Sequence, residues 1–119
     1  MRTMLVLAAI LAIGCQKSEQ VKTDPSFADD VQPIFTASCV SCHNSTEHAG
    51  SYDLTSYSLA MGNGTDSIPN VIAGNADSSL LYRRITGAAT PQMPIGGTPL
   101  DAMDEATIRN WINQGAKNN

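Results

Sequence analysis

Cys39-Val40-Ser41-Cys42-His43 is the stretch that decides the reading of this 119-residue chain. The order C-x-x-C-H suits covalent attachment of a c-type haem: two thiols three positions apart each form a thioether to one porphyrin vinyl group. The residue that follows places an imidazole under the iron as proximal ligand. A neutral imidazole binds metal through one nitrogen while the other donates a hydrogen bond that fixes the ring. Two competing readings fit less well. A thioredoxin-like C-x-x-C follows a buried strand within a β-α-β pattern, whereas Phe27 to Ser38 reads as helix. A structural zinc site needs four ligands, usually as two spaced pairs, and only His48 lies near Cys39, Cys42 and His43.

Working outward, the N-terminus speaks of export. Residues 1–14 read as a signal peptide: Arg2 precedes an apolar run from Met4 to Ile13, ten residues long. That is too short for a bilayer span of about 20 residues, and it has the form of a leader core. The run closes as Leu11-Ala12-Ile13-Gly14-Cys15, which resembles the lipobox of bacterial lipoproteins, with Ala12 where leucine usually stands. The resemblance implies a diacylated Cys15 as first mature residue, and two acyl chains make a stable membrane anchor. Gln16 follows rather than aspartate, so the expected place is the outer membrane facing the periplasm, or otherwise the outer face of the cell membrane. Residues 15–25 are then the lipidated cysteine and a polar tether reaching roughly 17 Å.

Removing residues 1–14 from 119 leaves 105, enough for one small domain over residues 26–119. That mature chain holds 6 basic and 11 acidic residues, a charge of −5. No basic stripe is present to neutralise phosphates, which excludes nucleic acid. An acidic carrier is steered instead toward redox partner proteins with basic docking patches. Aromatic residues are 5% of the chain, so a protein-only core is thin and a held porphyrin completes it.

The domain opens with a helix. Ser26 caps it, Asp29 answers three residues later as in a capping box, and Phe27, Val31, Ile34 and Phe35 form one apolar face. Pro33 inside that run predicts two short helical pieces. Asn44 to Gly74 is rich in Ser, Thr, Asn and Gly and reads as loop, with a helical turn or two around Ser56 to Met61. Ser78 or Asp77 caps a short helix through Leu80, Leu81, Tyr82 and Ile85 that ends at Gly87. Asp101 starts a last helix, with Ile108, Trp111 and Ile112 on its apolar face and Gly115 at its end. The expectation is an all-α fold of three or more short helices and long loops around one covalent haem.

Thr90-Pro91-Gln92-Met93-Pro94-Ile95-Gly96-Gly97 lies between the last two helices. Each proline drives its predecessor out of the α region, so Met93 sits on an extended, stiff loop suited to presenting a distal thioether. Among the five methionines, Met61 is the rival, and His48 is a lesser one; Met103 belongs to helix packing. Arg83 and Arg84 are candidates for the haem propionates, and at least one of them is expected on a solvated helix face. Trp111 reads as helix packing rather than a porphyrin contact.

From Asp30 to Ala116 the chain resembles small cytochrome c domains of the planctomycete type. The resemblance rests on Asp30-Val31-Gln32-Pro33-Ile34-Phe35, the C-x-x-C-H pentapeptide, Leu54-Thr55-Ser56-Tyr57, Ala73-Gly74-Asn75 and Ser79-Leu80-Leu81-Tyr82-Arg83-Arg84-Ile85. It rests also on Gln92-Met93-Pro94 and Trp111-Ile112-Asn113-Gln114-Gly115-Ala116. It implies a cytochrome c fold, His43 and Met93 as axial ligands, and first and last helices that cross beside the haem edge. Ile95 stands where the family usually carries a second proline.

The expected function is therefore one-electron transfer by a monohaem c-type cytochrome, with no small-molecule substrate and no enzymatic step. A haem enzyme or gas-binding sensor with an open distal site is the alternative. It lacks an acid–base cluster near the distal loop, where Gln92 is the only polar neighbour.

Overall fold

The computed structural model describes residues 20–65 and 68–119. The leader and Cys15 lie outside the described residues. Those residues form four short α-helices, α1 (Gln32–Ser38), α2 (Tyr57–Ala60), α3 (Leu80–Thr86) and α4 (Ala102–Asn113), with no strand among them. The all-α expectation holds.

Pro33 acts where the sequence places it. An α-helix running through it would drive its ring into the carbonyl of Asp29. The chain instead widens into a π-helical turn over Phe27–Val31 and then tightens into α1, with Pro33 in the first turn. The Ser26 carbonyl accepts from both Asp30 and Val31 amides at 3.2 Å. Ser26 Oγ accepts from the Asp29 amide at 3.1 Å, as expected of a cap. The answering carboxylate is Asp30, not Asp29: its Oδ2 accepts from the Ser26 amide at 2.9 Å. One extra residue in the wide turn shifts the reciprocal partner by one position.

At the other end, Asp101 Oδ1 accepts from the amides of Met103 and Asp104 at 2.9 Å each and starts α4. Gly115, at φ +108°, ends it. The Gly115 amide donates to Ile112 O and the Ala116 amide to Trp111 O, both at 2.9 Å, which is a Schellman closure. For α3 the capping residue is Ser79 rather than Ser78 or Asp77. Its hydroxyl is fully buried, donating to Asn75 O and accepting from the Ile72 amide, each at 2.8 Å. Gly87 closes α3 in the left-handed region at φ +81°.

The core joins the two ends of the domain. Val31, Phe35, Ile108, Trp111 and Ile112 are at most 1% exposed. Phe27 packs on Trp111 at 5.4 Å between ring centroids and edge-on against Tyr57 at 5.2 Å. Trp111 is thus a core residue, with Nε1 donating to Lys117 O at 2.9 Å. The first helical segment therefore packs on α4, which leaves the loops between α1 and α4 to shape the remaining space.

The stretch read as tether joins this packing before it reaches Ser26. Pro25 is fully buried. Asn110 of α4 donates to the backbone oxygen of Lys22 at 2.8 Å, and Gln114 donates to that of Thr23. The domain's packing thus reaches back to Lys22.

Candidate functional site

The pentapeptide continues α1 as two irregular turns. The Phe35 carbonyl accepts from the Cys39 and Val40 amides at 2.8 and 2.9 Å, and the Cys39 carbonyl accepts from the His43 amide at 2.9 Å. The site's first half is therefore held by the same helix that carries Val31 and Phe35 into the core. After His43 the chain loops out and returns: the Ala49 amide donates to Cys42 O at 3.1 Å and the Leu54 amide to His43 O at 3.0 Å.

That return sets the imidazole. His43 Nδ1 donates to the backbone oxygen of Tyr52 at 3.0 Å. The rings of the two residues meet edge to face, 5.9 Å apart. A carbonyl can only accept, so Nδ1 carries a proton, and in the neutral ring the lone pair is on Nε2. Tyr52 is itself buried and tied down through its hydroxyl, which donates to Ala60 O at 2.5 Å.

His43, Cys39 and Met93 share a crevice of two adjoining lobes, of about 850 and 860 Å³ of non-protein space, that also share Ala49, Ile85 and Ile95. Cys42 lines one lobe beside Pro94 and Leu100. Leu54, Leu80 and Leu81 wall the other. All four residues singled out from the sequence for haem, Cys39, Cys42, His43 and Met93, thus lie on one predominantly apolar crevice. Burial in it pushes the Cys39 thiol up to about 11, so that sulfur is a protonated thiol at neutral pH. Gly64 also lines the crevice, where a Cβ would come within 2.6 Å of Gly50 O, so only glycine fits.

The rivals lie elsewhere. Met61 ends α2 and packs on the core, lining neither lobe. His48 sits at φ 42° with Nε2 3.9 Å from Asp53 Oδ2. Arg84 lines the crevice and Arg83 does not. Sequence reading did not single out Tyr52, Ile85 or Asn70 as crevice residues. Tyr52 acts through its carbonyl, which every residue has, and so carries no sequence signal.

The donor set fits a c-type haem: two thiols, an imidazole with one nitrogen free, a thioether, and apolar walls around them. No helix among the described residues is long and apolar enough to cross a membrane. No curated protein and no solved structure matches the chain. Residues 39–94 match the family model described as Planctomycete cytochrome C. The matched span runs from Cys39 to Pro94 and so contains every crevice residue proposed for haem. Such a domain implies covalently bound haem c and suggests an electron carrier. The attachment motif, the helical architecture and this match agree in supporting a planctomycete-type cytochrome c domain over residues 39–94.

Proposed function

We propose that the protein is a monohaem c-type cytochrome, a membrane-anchored one-electron carrier whose iron is held by His43 and Met93. The observation that carries the reading is the meeting of Cys39, Cys42, His43 and Met93 on one apolar crevice. When bound, haem c supplies an iron that cycles between the ferric and ferrous states. The sulfurs of Cys39 and Cys42 form the two thioethers. His43 offers Nε2, oriented by its bond to Tyr52 O. The Met93 thioether would hold the iron together with His43, and that pairing would favour the ferrous state. Were His43 and Met93 both to bind the iron, the chain's own residues would leave no open position for a substrate, which supports a carrier over an enzyme. Leu54, Leu80, Leu81 and Ile85 give the crevice apolar walls, which would limit the water around a bound haem.

The same reading puts the protein outside the cytoplasm. Residues 1–14 direct export, and Cys15 carries the lipid that holds it to the outer membrane on the periplasmic side. Basic patches on redox proteins are its docking partners.

Mass spectrometry of the denatured mature protein should find one haem retained per chain after acid–solvent extraction. Haem that extracts freely overturns covalent attachment. Carbon monoxide should leave the ferrous spectrum unchanged at neutral pH, since an open distal site would bind it at once. Cys15→Ser should move the protein to the soluble fraction, or block its maturation, without altering the spectrum of what folds.

A further inference from the structure

We propose that Arg84 is a positioning residue for Met93: it grips the loop that presents the thioether and so sets how readily that ligand is displaced. The inference rests on the reading of Met93 as the distal ligand. A helix leaves its last carbonyls without intrahelical partners, and at α3 the Met93 loop supplies them. Arg83 O accepts from the Ala89 amide at 2.8 Å, and Arg84 O accepts from the Met93 amide at 2.9 Å. Ile85 O accepts from Gln92 Nε2 at 3.1 Å. Arg84 then takes hold a second time, its Nη1 donating to Pro91 O at 3.3 Å. One residue thus binds the loop on both sides of Gln92, through its backbone carbonyl and through its guanidinium.

The loop needs such a grip. Pro91 and Pro94 have no N–H to donate to the helix, so their backbone can only accept. Beyond Met93 the chain is exposed from Ile95, 66% exposed, through Gly97. Met93 is half-buried against the core, and the hydrogen bonds that fix its backbone come from the α3 end on one side, with open loop on the other. A guanidinium is charged at every working pH, so its bond to Pro91 O is charge-assisted and stronger than a neutral one. Arg84 also lines the crevice with Met93, and a positive charge there would disfavour the ferric state of a bound haem.

The test uses the holoprotein and imidazole as the competing ligand. Ferric Arg84→Gln should bind imidazole roughly fivefold more tightly than wild type, as expected for loss of one charge-assisted hydrogen bond near solvent. It should also show a weaker red-edge sulfur-to-iron absorption and a lower reduction potential. Arg84→Lys, which keeps the charge and loses the planar fork, should recover the potential more than the imidazole resistance. Arg109→Gln, at an exposed residue 3.8 Å from Asp77, should match wild type. If Arg84→Gln yields no folded holoprotein, Gln92→Ala, which removes the bond to Ile85 O, carries the same imidazole test. The proposal is overturned if the latch variants bind imidazole within twofold of wild type, or if Arg109→Gln gives the same change. Absence of the red-edge band in wild type would instead overturn Met93 ligation itself.

Discussion

The Nδ1 atom of His43 lies 3.0 Å from the backbone oxygen of Tyr52, and that bond aims the opposite nitrogen into the crevice. The orienting group is a carbonyl, so no substitution at position 52 removes it directly. What a substitution can change is how firmly the carbonyl is held. Tyr52 is buried, and its hydroxyl reaches Ala60 O at the end of α2.

Tyr52→Phe keeps the carbonyl and deletes that hydroxyl. The variant should lose about 1–2 kcal/mol of stability, the cost of leaving a buried acceptor without its donor. Guanidinium denaturation followed by circular dichroism measures the loss. The ferric absorption spectrum should stay as in wild type, because the His43 bond survives; a changed spectrum would mean that the hydroxyl's hold on Ala60 O is what keeps the Tyr52 carbonyl, and with it the imidazole, in place.

Met93 and Met61 separate cleanly by optical spectroscopy. Met93→Ala should abolish the red-edge band, lower the reduction potential and open the site to carbon monoxide or cyanide. Met61→Ala should keep the band and cost only packing, about 1–2 kcal/mol for a half-buried methionine against the core. The reverse pattern would exchange the two assignments.

Asp53 makes part of the stability dependent on acid. Its carboxylate accepts from Thr55 Oγ1 at 2.6 Å and from the Thr55 amide at 2.8 Å, and these bonds hold its pKa below the ordinary 3.8, with His48 adding a smaller pull and burial opposing. A carboxylate with a depressed folded-state pKa contributes stability that is fully present above its unfolded value, and that stability is lost as pH falls through the folded value. Thr55→Val should therefore move the acid-unfolding midpoint to higher pH and leave stability at pH 7 lower, both readable from circular dichroism across a pH series.

Gly115 offers a test of backbone conformation alone. It sits at φ +108°, and a Cβ added there meets nothing within 4 Å. Gly115→Ala should cost about 1–2 kcal/mol through conformational strain with no steric clash. Thermal unfolding of the two holoproteins checks it; an unchanged midpoint would show that the closure of α4 tolerates another geometry.

Much of this was legible in the sequence because the relevant signals are local. Ser26, Asp101, Gly87 and Gly115 mark helix ends by side-chain chemistry or by the need for positive φ, and each stands where it was expected. The C-x-x-C-H run and the proline-framed Met93 are equally local. What escaped depends on distant or backbone partners. Asp30 replaces Asp29 because the turn before Pro33 is wide. Ser79 stands at the N-cap position instead of Ser78, and its hydroxyl makes no bond to α3 but ties the loop at Ile72 and Asn75. The crevice walls at Ala49, Gly64 and Asn70 come from a loop without periodicity, so no pattern brings them together before the chain folds.

The docking of Lys22 and Thr23 along α4 has a consequence for encounters. A linker that is free up to the domain edge lets its cargo tumble and offer every face equally. Here Asn110 of α4 and Gln114 at its end grasp the backbone at Lys22 and Thr23. Anything that holds the chain upstream then dictates heading as well as distance. Partners sharing that surface would meet a restricted set of aspects of the protein, and their effective concentration would depend on angle as much as on reach.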